Sequence, residues 1–298
     1  MVVGAGRMGL PMAARLVAAG QLVGVADVRA QLRTEIERVG AHWVADPANP
    51  SGEPAPTVLT VLPGSPELRH LMLGPATAAT GLLDAMPPGT LWIDLTSAAP
   101  DLAAELADAA ARRGVGYVDA AIGGGPSDAQ EGRLRLYLGG DTADVERARP
   151  VLQAFTRPDG LRHLGGHGAG YLAKLLVNQL WFGQAVALAE TVALAAAHGI
   201  DPSAFAAVLA GSPADSVFVG DYLPRLLAGD RMPAFGLDRI VEELDSLDRA
   251  AARADVPWTV AAAVAAVHRS ALERHGPVDG ELLTAVEILR TGTAATKG

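Results

Sequence analysis

Short apolar runs and Ala/Leu/Arg-rich stretches take turns along the first half of the chain. Val2-Val3 leads into glycine-rich sequence, and apolar residues at helical spacing then predict a helix from about Leu10 to Ala19. Leu22–Ala26 predicts a strand and Ala30–Val39 a helix. Thr57–Leu62 is a nearly unbroken apolar run, the pattern of a strand covered on both faces. Leu91–Leu95 is a further strand, a helix follows over Pro100–Arg113, and Val115–Ala120 and Leu134–Leu138 complete the predicted strands. Strand and helix in alternation imply an α/β unit built on a parallel sheet. Met1 stands only three residues before Gly4, so the first strand is shorter than a buried central strand is expected to be. Either the start lies upstream or the strand is clipped and weakens its domain.

After about Gly165 the alternation stops. Ala169–Ala197 reads as one long apolar helix, ended by Gly199 and followed by Pro202. Further helices are predicted over Ala204–Leu209, Val219–Leu227, Leu237–Ala254 and Trp258–Arg274, and the tail from Thr291 is expected to fray. Pro158, Gly160, Gly165, Gly166, Gly168 and Gly170 cluster between the two patterns. The boundary is therefore set between residues 1–164 and an all-helical part, 165–298.

The chain has 298 residues, enough for two ordinary domains, with half of them hydrophobic but only 4% aromatic. Twenty-four basic against 33 acidic residues give a formal charge of −9, which argues against a nucleic-acid partner. There is no cysteine, hence no disulfide, thiolate zinc site or thiol nucleophile. The seven histidines show no metal spacing and are expected to be solvated or capping. The uncharged run Leu175–Ala189 is too short to span a bilayer and holds three amides. No secretory signal is visible at the start, and a cytoplasmic location without membrane contact is expected.

Gly4-Ala5-Gly6-Arg7-Met8-Gly9 is a G-x-G-x-x-G between a strand and a helix, with Asp27 ending the next strand 18 residues past Gly9. Gly4 permits the tight turn, Gly6 lets the backbone approach a pyrophosphate, and Gly9 allows close helix–strand packing. The helix N-terminus then offers its unpaired N–H groups to the phosphates. Asp27 can accept from ribose hydroxyls and repels a 2′-phosphate, whereas Arg29 could hold one; the balance favours NAD over NADP.

Four ordered motifs resemble the β-hydroxyacid dehydrogenase family (3-hydroxyisobutyrate dehydrogenase-like). Gly4–Met12 is similar to its cofactor loop, Asp94-Leu95-Thr96-Ser97 to its segment beside the nicotinamide, Asp119–Gly125 to its substrate loop and Gly168–Asn178 to its catalytic helix. The resemblance implies a Rossmann-type domain, a long interdomain helix, and an all-helical second domain that forms a homodimer or higher oligomer. It implies cofactor contacts from Gly4, Gly6, Arg7, Met8, Gly9, Asp27, Leu62, Pro63 and Thr96, and substrate contacts from Gly123, Gly124, Gly125, Lys174 and Asn178. The three glycines could also present backbone N–H groups to a carboxylate, as a nest does.

Lys174 is the only lysine before Lys297 and sits inside an apolar helix. Burial disfavours its charge and moves its pKa toward neutrality, where an amine can exchange protons with a substrate hydroxyl. By resemblance it is the general acid/base, and Asn178, one helical turn on, orients it or the substrate. Two departures fall on the substrate side. Gly123 stands where the family has a serine, and Glu242-Glu243 where it has Lys-Asp. Glu242 is expected to approach Lys174 or a cationic substrate group. The expected activity is hydride transfer between a nicotinamide cofactor and a small 3-hydroxy acid or its semialdehyde. An imine reductase using NADPH and a non-catalytic dinucleotide-binding module are the alternatives.

Overall fold

The computed structural model describes residues 1–50, 55–74, 80–233 and 235–294. The chain divides into two compact units, Met1–Lys174 and Leu175–Gly298. This division falls inside the long helix, ten residues beyond the boundary drawn from composition.

The first unit runs β1 (Val2–Val3), α1 (Gly9–Ala18), β2 (Gly24–Ala26), a 3₁₀ turn leading into α2 (Arg33–Arg38), β3 (His42–Trp43), β4 (Thr57–Thr60), α3 (Ser65–Leu73), α4 (Leu82–Ala85), β5 (Leu91–Asp94) and α5 (Pro100–Ala111). It continues through β6 (Gly116–Gly123), α6 (Pro126–Glu131), β7 (Leu134–Gly140), α7 (Thr142–Leu152) and β8 (Thr156–Gly165). The strands form one sheet in the order β3-β2-β1-β4-β5-β6-β7-β8. Its neighbours pair in parallel with one exception: β7 runs antiparallel to β6, so the sheet is mixed rather than purely parallel.

Two apolar layers hold the helices to the sheet. Val2, Val25, Leu59, Ile93 and Leu136 face one layer, while Val3, Val58, Trp92, Tyr117 and Ala121 face the other. β1 is indeed only two residues long, yet it pairs with β2 on one side and β4 on the other and is buried. β3, β8, α3, α4, α6 and α7 were not predicted. β3 is too short to show a period, and β8 carries Pro158 and Gly160, which an edge strand tolerates but which read as a linker in sequence. Pro150 likewise interrupts the helical pattern of α7.

The second unit is helical. α8 (Ala169–Ala197) enters it and is followed by α9 (Pro202–Leu209), a π-helical turn leading into α10 (Leu223–Leu227), α11 (Leu237–Ala254), α12 (Thr259–His275) and α13 (Leu283–Ala294). Asp201 caps α9 by accepting from the Ser203 and Ala204 N–H groups, which starts the helix two residues earlier than predicted. α13 was missed, and the tail expected to fray from Thr291 is helical through Ala294; residues 295–298 lie outside the described residues. By length and composition α8 could cross a membrane, unlike the shorter uncharged run within it. Its Ala185, Ala189 and Val192 instead pack in a core with Phe218, Leu223 and Leu282, as in the central helix of a globular fold. Leu176, Val177, Leu180 and Leu194 on the same helix are exposed.

Candidate active site

The strand order reverses direction at β1, with β2 on one side and β4 on the other, which opens a crevice at the carboxyl ends of these strands. The glycine loop lies there. Gly4 has φ +104°, and a Cβ on it would stand 2.2 Å from the Val61 carbonyl oxygen. A Cβ at Gly9 would stand 1.8 Å from the Gly4 carbonyl oxygen. Gly6 differs, because a Cβ there would meet nothing closer than the Arg29 guanidinium at 4.0 Å. Two glycines thus close the turn and the third leaves open space over the backbone. The first turn of α1 carries no acidic side chain and no side-chain cap; Leu10 N–H turns back to Gly6 O, Met12 N–H to Met8 O, and Pro11 has no N–H to offer. This cradle fits a dinucleotide pyrophosphate.

Asp27 follows β2. Its Oδ2 accepts from Ala5 N–H at 2.8 Å, and its Oδ1 accepts from Arg29 N–H and Arg29 Nε, both at 2.9 Å. Burial pushes the carboxyl up, but the Arg29 guanidinium and the two backbone donors outweigh it and hold its pKa below the usual range. Arg29 is therefore engaged with Asp27 rather than competing with it.

Behind the crevice lies a buried polar chain. Asp94 Oδ1 accepts from Thr60 Oγ1 at 2.5 Å and from Thr96 Oγ1 at 2.7 Å, and its Oδ2 accepts from Tyr171 OH at 2.5 Å. Trp92 Nε1 donates to Thr60, and Tyr117 OH meets Tyr171 OH at 2.7 Å. Burial pushes the Asp94 carboxyl up to about 6 against the pull of these hydroxyl donors. Thr96 also accepts from Leu62 N–H at 3.2 Å, so its hydroxyl braces the Leu62-Pro63 turn instead of projecting toward a ligand. Leu62 is half-buried and Pro63 exposed at the crevice rim, while Arg7 and Met8 begin the turn into α1.

Asp119 fixes the start of α8. Its carboxylate accepts from the N–H groups of Gly168 and Gly170 at 2.8 Å and of Tyr171 at 3.2 Å, which places a negative charge at a helix N-terminus. The segment that leads into α8 approaches β7 closely at two points. A Cβ on Gly139 would meet Gly166 O at 2.6 Å, and a Cβ on Gly170 would meet Tyr137 O at 2.3 Å. Lys174 follows Gly170 by four residues, about 6 Å along α8. Lys174 is half-buried, so the shielding expected of its amine is partial.

Gly124 has φ +119°, and Gly125 N–H donates to Asp128 Oδ2 at 3.0 Å, capping α6. That donor is spent, which removes one of the three N–H groups expected of a glycine nest. Within the second unit, Asn178 Nδ2 donates to Glu243 Oε2 at 2.7 Å, and Glu243 is buried. Glu242 pairs instead with Arg239 on its own helix at 2.9 Å. The carboxylate that reaches α8 is thus Glu243 and not Glu242. Helical phase decides this: one residue along α11 turns the side chain by about 100°.

Not every histidine is solvated. His268 is buried against Phe182, and burial lowers its pKa; His167 stacks on Tyr117. Among the described residues no group of three His, Asp or Glu side chains is placed to hold a metal. Sequence reasoning placed Asp94, Asp119 and Tyr171 within family-like segments without giving them a role, and missed Tyr137 altogether. Each aspartate is the one acidic residue within a predicted strand, Leu91–Leu95 and Val115–Ala120, and that was the available signal.

Residues 1–165 match the family described as the NAD-binding domain of 6-phosphogluconate dehydrogenase, and residues 168–289 that described as NAD-binding of NADP-dependent 3-hydroxyisobutyrate dehydrogenase. A 3-hydroxyisobutyrate dehydrogenase of Pseudomonas aeruginosa is 35% identical over 221 residues, 74% of this chain and 72% of the relative. An NAD-dependent L-serine dehydrogenase of the same organism is 32% identical over 76% of this chain and 81% of its own length. A solved 3-hydroxyisobutyrate dehydrogenase of Mycobacterium tuberculosis with L-serine superposes with a TM-score of 0.84 at 26% identity, covering 97% of this chain and 98% of that one. The chain belongs to the β-hydroxyacid dehydrogenase family. It is an NAD(P)-dependent oxidoreductase of hydroxyacids and their semialdehydes.

Proposed function

We propose that the chain oxidises a small 3-hydroxy acid, or reduces its semialdehyde, with Lys174 as general acid/base and NAD favoured over NADP. The observation that supports this reading is the docking of the start of α8 on Asp119 and against the Tyr137 carbonyl, on the same strand pair that carries Gly123. A bound nicotinamide supplies the hydride acceptor or donor. Gly4, Gly6, Gly9, Arg7 and Met8 hold its pyrophosphate, and Asp27 its ribose. In oxidation the Lys174 Nζ takes the substrate hydroxyl proton as the carbinol C–H electron pair departs, and in reduction it returns that proton to the new alkoxide. Asn178, held by Glu243, keeps an amide one turn along the same helix to orient the lysine or the substrate.

The NAD preference rests on the Asp27 carboxylate, whose negative charge repels a 2′-phosphate. The exposed apolar residues of α8 support a homodimer that covers them. The need for a nicotinamide pool supports a cytoplasmic location.

The test follows the 340 nm absorbance of the reduced nicotinamide with 3-hydroxyisobutyrate, L-serine, semialdehydes and cyclic imines. Turnover of a 3-hydroxy acid, and a fall in kcat of about 1,000-fold or more for Lys174→Ala with NAD affinity retained, is the expected result. Full activity of that variant would end the mechanism.

A further inference from the structure

The loop that meets the substrate lacks a hydroxyl at Gly123, and the geometry explains why none fits. A Cβ added to Gly123 would stand 3.2 Å from both Cε2 and OH of Tyr137, closer than ordinary van der Waals contact. The phenol edge of Tyr137 thus fills the space that a side chain at 123 would occupy. The arrangement follows from the β6/β7 register. Ala121 pairs with Tyr137 and Gly123 with Arg135, so positions 121, 123, 135 and 137 share one face of the antiparallel ribbon. Leu134, Leu136 and Leu138 point to the other face and are buried, while Tyr137 is half-buried and Arg135 exposed.

A buried or half-buried tyrosine hydroxyl ordinarily finds a partner. Tyr117 and Tyr171 do so with each other, but among the described residues the Tyr137 hydroxyl meets no hydrogen-bond partner. It stands beside a loop whose Gly125 N–H is already spent on Asp128. Arg135 puts a positive charge on the same face, directly across from Gly123. Hydroxyl and cation thus share one face beside a glycine whose side-chain space the ring occupies.

We propose that Tyr137 is a substrate-binding residue whose O–H donates to the acid group of the substrate, in the place a side chain at position 123 would otherwise take. This deepens the reading of the chain as a hydroxyacid oxidoreductase and rests on it. The two positions then act as one unit: a small residue at 123 requires a hydroxyl-bearing ring at 137, and a hydroxyl-bearing residue at 123 requires that the ring be removed. The substrate class this selects carries a carboxylate or similar anion at the end remote from the reacting carbon.

The experiment uses the full chain loaded with NAD in a Lys174→Ala background, so that binding of 3-hydroxyisobutyrate is read at equilibrium by calorimetry without turnover. Adding Tyr137→Phe should weaken binding about tenfold, equivalent to about 1.4 kcal/mol, with NAD affinity and melting temperature unchanged. Gly123→Ser alone should weaken binding because the ring blocks it, and Gly123→Ser with Tyr137→Ala should restore it to within about threefold of the parent by returning a hydroxyl. In the lysine-containing enzyme, Tyr137→Phe should raise KM by a similar factor and leave kcat within about twofold. Binding by the Tyr137→Phe protein within twofold of its parent overturns the role of Tyr137 alone. Failure of the parent to bind 3-hydroxyisobutyrate and of the wild-type chain to oxidise it overturns the functional reading, and this inference with it.

Discussion

Asp94 is a carboxylate that folding places out of contact with water, and the consequence can be worked through. Its pKa is pushed from 3.8 to about 6 by burial, against three hydroxyl donors. Between these values the folded chain holds a proton that the unfolded chain releases. The associated stability is present below about pH 4 and is lost as pH rises through 6. A rise from 3.8 to about 6 corresponds to about 3 kcal/mol, with a steepest slope of about 1 kcal/mol per pH unit. Asp94→Asn removes this titration while keeping most of the bonding. The amide oxygen accepts from Thr60 and Thr96, and the NH₂ donates to Tyr171, whose hydroxyl then turns toward Tyr117. Urea unfolding of both proteins, followed by tryptophan fluorescence at intervals from pH 4 to 7.5, gives the difference in stability. The variant should gain on the wild type by a little over ~2 kcal/mol between pH 4 and 7.5, about 3 kcal/mol being reached only from lower pH, with other titrating groups cancelling in the difference. A difference that stays flat with pH would refute the reasoning, since it would mean that Asp94 is ionised at the same pH folded and unfolded.

Gly9→Ala should distort the turn, because its Cβ would sit 1.8 Å from Gly4 O. A loss of about 1–3 kcal/mol in unfolding free energy and at least a tenfold loss of NAD affinity are expected in melting and titration experiments. Arg29→Leu removes the cation from Asp27. The NADP to NAD ratio of dissociation constants should rise about tenfold, because the carboxylate then faces a 2′-phosphate uncompensated; an unchanged ratio counts against the assignment of Asp27.

The class of fold was legible because its physical causes are local. Apolar runs of strand length, the helical period of Leu237–Ala254, and the glycine spacing before a helix all lie within short windows. The uncharged stretch around Lys174 and the turn at Gly4–Gly9 belong to the same category. β8 and α7 were illegible because Pro158, Gly160 and Pro150 break the local pattern, and neighbouring strands supply the stabilisation that the pattern lacks.

Contacts between distant segments decided the rest. The bonds from Asp119 to the start of α8 span 49 to 52 residues, Tyr171 reaches back 77 to Asp94, and Asn178 finds Glu243 65 residues on. No window of sequence contains both ends of such a bond, and helical phase alone selected Glu243 over its neighbour. Composition and period thus determined that this chain makes a glycine-turned nucleotide cradle followed by helices. Only the packed structure decided which carboxylates are buried, which hydroxyls are already spent, and which ring fills the space beside Gly123, because burial and hydrogen-bond satisfaction are properties of the three-dimensional neighbourhood.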